Sequence, residues 1–233
     1  MNAGDKIIEL ALEHIGEQYV WGARAPMANP EWQGPWDCAE FVSWCVYQAT
    51  GILYGVEPRT NPILADAYTG FWYDQAELDG QLFSVVDAAR IKGAVIIRRP
   101  SSLYTGHVVI SDGEGGTIEA MSKNTGVVKH HLTERRWDAG ILPPGIEFYM
   151  EEKKVELVFD TELYRVTEPM MRGEKIENIQ KELNFRGYLP GSIDGIYGPQ
   201  TASAVREFQW DNDLVPDGEA GVKTLQAMGI LDD

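Results

Sequence analysis

Gly34 to Gln48 reads GPWDCAEFVSWCVYQ, and the fold is decided here. Phe41, Val42, Cys45, Val46 and Ala49 recur at helical spacing, which predicts a helix with one buried face. Asp37 with Glu40 three residues later reads as a capping box, making Asp37 the N-cap and Cys38 the first helical residue. A thiol there faces unpaired backbone N–H groups and the positive end of the helix dipole. Both pull its pKa toward thiolate. The alternative is that Cys38 and Cys45 are both small core residues, the usual fate of free cysteine. The helix alone leaves both open.

Two cysteines seven residues apart on one helix lie roughly 10 Å from each other, too far for a disulfide. With four histidines they show no zinc-ligand spacing, so no metal or other cofactor is expected. The chain has 233 residues, enough for one large domain or two smaller ones, and a net charge of −16. Asp and Glu outnumber Lys and Arg by 19 to 11 up to Met150 and by 17 to 9 beyond it. Such an acidic chain is a poor partner for nucleic acid or an anionic membrane. Its N-terminus, MNAGDKIIELALEHIGEQ, reads as an amphipathic helix, neither a signal peptide nor a membrane anchor. A protein destined for the cell envelope would then need another way out.

Working outward from the cysteine helix, Asp5 to Ile15 forms an earlier helix ended by Gly16. His14 on it is expected to be structural. A strand-like EQYVWG follows, then a loop to Pro35 rich in Pro, Asn and Trp, long enough to be functional. Gly51 to Gln81 reads as irregular, with Tyr54, Tyr68, Phe71, Trp72 and Tyr73 packing it. Residues 86–92 form a short turn or helix. Strands follow at 93–98, 107–112, 116–121 and 126–131, with Gly113, Gly115 and Gly126 in the turns. Helices first and then antiparallel strands make an α+β domain over 1–150. Residues 151–162, with strand-like VELVF, read as a linker. Residues 163–233 carry three helical patterns, around Ile176, Ile179 and Leu183, around Ala202, Val205 and Phe208, and around Val222, Leu225 and Met228. So small a unit suits binding better than catalysis. DNDLVPDGE lacks the glycine placement of a calcium loop and reads as a turn.

A cysteine nucleophile needs a base, and the base an orienting partner. His107 opens one strand and Glu119 lies on the next, and neighbouring strands are ~5 Å apart, so the two can meet. Each could equally be an ordinary strand residue. His130 and His131 are weaker candidates, at least one of them expected to be exposed.

GEQYVWG, DCAEFVSWCVY and TGHVVISDGEGGTIEA, with GVV after them, resemble in order and spacing the NlpC/P60 cysteine peptidases, over most of residues 1–145. The resemblance implies a papain-like α+β fold and cleavage of bacterial wall peptides, often between D-γ-glutamyl and diaminopimelate. It places Cys38 as nucleophile, His107 as base and Glu119 at the third polar position. Tyr19 matches the tyrosine beside the nucleophile, and Asp37 an aspartate linked to the substrate's free amine. Ala39 and Glu40 depart from the Ser-Gly usual there, and the capping role of Glu40 offers a structural reason. MRGEKIENIQKELNFRGYL, DGIYGPQTASAVREFQ and LVPDGEAGVKTL resemble the three-helix peptidoglycan-binding domain 1. Together they imply a peptidoglycan hydrolase whose partner is bacterial peptidoglycan, without membrane insertion. The competing expectations are an N-acetylmuramoyl-L-alanine amidase and a wall-binding protein without activity.

Overall fold

In a computed structural model of the chain, residues 2–101, 105–133, 135–149 and 162–231 are described. The expected linker at 151–162, with its VELVF, lies outside them except for Glu162. Two compact units form, one built before this stretch and one after it.

The first unit begins with α1 (Ala3–Glu13), capped by Asn2 and Asp5 in a reciprocal box. Helix α2 (Cys38–Thr50) follows, with Asp37 as its N-cap and Gly51 ending it at φ +74°. That left-handed conformation suits glycine. The helix has no single buried face, because every residue from Cys38 to Val46 is buried. Trp36, Trp44 and Phe41 stack edge-on below it. His14 joins them through its contacts with both tryptophans, and its Nδ1 lies 2.9 Å from Glu17.

The region read as irregular contains α3 (Thr69–Leu78). Its hydrophobic pattern is weak because Trp72 packs against Tyr54, a loop residue, and not along an apolar stripe. A short α4 (Val85–Ala88) falls close to the expected turn. Among the described residues the sheet has six antiparallel strands: β1 (Leu82–Phe83), β2 (Val95–Arg98), β3 (His107–Ser111), β4 (Gly116–Ser122), β5 (Gly126–His131) and β6 (Ala139–Ile141). Their order is β1-β6-β2-β3-β4-β5. The four long strands match the sequence reading. The two short ones have too few residues to show alternation. Alternate residues separate the sheet's faces: Val95, Ile97, Val108, Ile110, Ile118 and Ala120 share a core with α2. Ile96 and Val109 share another with Ala88 and Ala89.

Among the described residues the second unit has three helices, α5 (Glu174–Phe185), α6 (Pro199–Asp211) and α7 (Val222–Met228). Its core comprises Ile176, Ile179, Leu183, Val205, Phe208 and Leu225 with their neighbours. Two buried glutamines do the same work in succession. Gln180 donates to Asp194 and to the Ile196 carbonyl and accepts from the Asp194 and Gly195 amides. Gln209 donates to Asp217 and to the Glu219 carbonyl and accepts from the Gly218 amide. Each Asp-Gly turn, Asp194-Gly195 and Asp217-Gly218, is therefore tied to the preceding helix by its buried glutamine.

Candidate active site

Cys38 is the first residue of α2 and 7 % exposed. The Asp37 carboxylate caps the helix by accepting from the amides of Ala39 and Glu40, at 2.9 and 3.0 Å. The Gly22 amide adds a third hydrogen bond. Burial raises the Asp37 carboxyl above its ordinary pKa; the three N–H groups oppose this, and the Asp66 charge adds to it. Glu40 does not complete the box. Its carboxylate turns inward to the amides of Ala25 and Ala67. The N–H of Cys38 itself has no hydrogen-bond partner among the described residues, as the first amide of a helix commonly does.

The Cys38 sulfur lies 3.9 Å from the Thr69 hydroxyl and against the Val108 amide. Burial, then the Asp37 charge, pushes its pKa up to about 12, against the lowering effects of Thr69, Val108 and Arg98. This corrects the expectation of a thiol drawn toward thiolate. The helix start supplies the expected field, but losing water around the sulfur and gaining a carboxylate beside it count for more.

His107 opens β3, directly across from Arg98 on β2. On the other side, Ile110 pairs with Ile118 and Ser111 with Thr117. In that register Glu119 lies diagonal to His107 on the same face, within reach of long side chains. His107 Nε2 is 2.6 Å from Glu119 Oε2. Glu119 is fully buried and every lone pair is in use. Thr117 donates to Oε1 at 2.6 Å, and Arg135 grips both oxygens at 2.7 Å. Arg135 stacks in turn on the Trp137 ring, 4.6 Å from its centroid. Burial favours the neutral acid, but the Arg135 charge and the bonds from His107 and Arg135 outweigh it, so Glu119 is held well below the usual carboxylate range. Burial lowers the His107 pKa. Glu119 opposes this, while Arg135 and Arg98 add to it.

The structure therefore brings His107 and Glu119 together and sets the Cys38 sulfur on the amide of the residue after His107. Cys38 and His107 share no hydrogen bond, and His107 Nδ1 makes none among the described residues. Tyr19 is buried in a bridge with Trp36; burial, then the Cys38 and Asp37 charges, raises its hydroxyl pKa. Neither His130 nor His131 is exposed as expected. Both are half-buried, and their rings stack with centroids 4.4 Å apart. Arg135, Thr69 and Arg98 were not foreseen. Each sits far in sequence from the residue it serves, and an arginine in ERRW carries no local signal of burial. No group of three or more His, Cys, Asp or Glu among the described residues could hold a metal ion.

Residues 172–228 match the family described as putative peptidoglycan binding domain. Among curated proteins, the chain is similar to N-acetylmuramoyl-L-alanine amidase CwlA of Bacillus subtilis (strain 168). The two are 43% identical over 63 residues, 24% of this chain and 23% of that protein. N-acetylmuramoyl-L-alanine amidase CwlL of Bacillus licheniformis is 36% identical over 85 residues, 34% of this chain and 24% of that protein. The chain thus spans about a quarter of the length of the curated relatives it matches. Among solved structures it is similar to the NlpC/p60 domain of the peptidoglycan hydrolase SagA. That match has 25% identity and a TM-score of 0.42, covering 60% of this chain and 98% of that one. The peptidoglycan hydrolase RipB from Mycobacterium tuberculosis matches at 20% identity and a TM-score of 0.44, over 62% of this chain and 65% of that one. Likeness at such scores is too loose to assign a chemistry. Both families that the sequence motifs resemble are represented among these matches.

Proposed function

We propose that the chain is a cysteine hydrolase of peptidoglycan that cleaves an amide bond of the stem peptide, between D-γ-glutamate and diaminopimelate. The observation that carries this reading is the buried Arg135–Glu119–His107 series, ending at a histidine whose next residue in the strand, Val108, holds on its amide the sulfur of a cysteine at a helix start. A carboxylate that accepts from Nε2–H of an imidazole leaves Nδ1 as the acceptor for a nucleophile's proton. With the thiol raised and the imidazole lowered, both are neutral at rest. The thiol proton moves to Nδ1 as sulfur attacks the carbonyl. Catalytic contacts of this kind commonly tighten only when substrate is bound. The unpaired Cys38 N–H, with the Tyr19 hydroxyl, stabilises the oxyanion. The imidazolium, balanced by Glu119, protonates the leaving amine. Water, deprotonated by the same nitrogen, then releases the acyl group from sulfur. The second unit binds wall and raises the local substrate concentration. The proposed domains are 1–150 for chemistry and 163–233 for binding, joined by 151–162.

Asp37 would receive the free ammonium of an L-alanine whose sugar has been removed. The second reading, hydrolysis of the muramoyl–L-alanine bond, is favoured by the names of the curated relatives. Paired digestion of a free tetrapeptide and its disaccharide form, with product masses, separates them. The proposed reaction gives L-Ala-γ-D-Glu, faster from the free peptide. Release of an intact stem peptide from the sugar overturns it in favour of the amidase.

A further inference from the structure

Glu40 is a fully buried carboxyl that the proposed chemistry does not use, two residues after Cys38 on α2. Its oxygens reach two separate loops. Oε2 accepts from the Ala25 amide at 3.2 Å and Oε1 from the Ala67 amide at 2.9 Å. Both loops meet the start of the helix. The first contains Tyr19, bridged to Trp36, and Gly22, which donates to Asp37. The second leads into Thr69, whose hydroxyl touches the Cys38 sulfur. The loops are joined again by the Ala28 amide on the Pro62 carbonyl, at 3.2 Å, and by an ion pair of Arg24 with Asp66. Between these ties they present Trp21, Ile63, Leu64 and Tyr68 to solvent.

A carboxyl can accept from two convergent N–H groups, whereas an amide offers one acceptor and one donor. Burying such a group is unfavourable without those bonds. Even with them, burial raises the Glu40 pKa to about 8, with Asp37 and Asp66 adding to the effect. An apolar residue would pack the helix without that cost but leave both amides unpaired.

We propose that Glu40 is a positioning residue whose carboxyl fixes segments 19–28 and 61–69 as the substrate-binding walls beside Cys38. Resting on the hydrolase reading, it makes Glu40 a determinant of how tightly the stem peptide binds, and gives this departure from Ser-Gly a functional consequence.

The test compares wild type, Glu40→Gln and Glu40→Ala in the full chain on a soluble tetrapeptide. Cys38 alkylation by iodoacetamide and amide hydrogen exchange are measured alongside. KM should rise about tenfold in Glu40→Ala and less in Glu40→Gln, which keeps one acceptor, with kcat within threefold. Alkylation should be unchanged or faster, because the small reagent needs no walls. An unchanged KM, or a lost kcat at unchanged KM, overturns the proposal. Exchange in the wild type needs no variant to fold. Ala25 and Ala67 amides as labile as exposed loop amides also overturn it. If the wild type cleaves no wall peptide, the hydrolase reading fails, and the exchange data alone still decide whether the clamp exists.

Discussion

Replacing Arg135 by Met keeps a stem to pack on Trp137 and removes the charge that neutralises Glu119. Glu119 is fully buried and would keep only Thr117 and His107 as partners. Stripping one member from a buried ion pair costs about 3–5 kcal/mol. Most domains have only about 5–15 kcal/mol in total, so the loss should be plain in urea unfolding. The pH dependence should also change sign. In the wild type the folded Glu119 pKa lies below its ordinary 4.5, so its stabilisation is complete above that value and lost as pH falls toward the folded pKa. Without Arg135, burial dominates and the folded pKa rises above the unfolded one. Stability is then greatest at low pH and falls as pH rises through the interval between them. Turnover should drop on the order of 100-fold, since a neutral Glu119 no longer supports a protonated His107. Glu119→Gln in the Arg135→Met background should recover part of the stability and none of the activity. A destabilisation below about 1 kcal/mol with an unaltered pH slope would refute the reasoning, because it would put the pair in the range of exposed ion pairs.

Cys45 is fully buried, so Cys45→Ala should cost about 1 kcal/mol or more in stability while turnover persists; unfolding curves and peptide assays on one preparation check both. Ending the chain after Thr161 should leave hydrolysis of soluble peptide intact and weaken sacculus pull-down, since a tethered module supplies local concentration only. Gln209→Leu should act similarly through folding, because the Gly218 amide loses its acceptor, about 1–3 kcal/mol for a buried group; a separate melting transition of the second unit reports it.

What the sequence revealed followed from local pattern. The longer strands are β-branched runs bounded by turn glycines, α5 to α7 show apolar spacing and turn glycines, and Asp37 announces the start of α2. His107 and Glu119 were within reach because consecutive strands pair in register. What stayed hidden depends on tertiary contacts. Glu40 looked like a capping partner because the spacing fits, and only the fold of two distant loops shows it buried. Arg135 reaches Glu119 from a segment without periodicity. Nor could sequence weigh desolvation against the helix dipole at Cys38, because that balance depends on what covers the sulfur. Helix α3 went unread because its buried side is set by Tyr54 and Gly55, not by a stripe of its own.

The most direct measurement of the central claim is mass spectrometry of material released from purified sacculi by the wild type and by Cys38→Ala. The account predicts soluble peptides with a new diaminopimelate amino terminus from the wild type, a thioester adduct on Cys38 in quenched samples, and neither from the variant. Equal release by Cys38→Ala would contradict it.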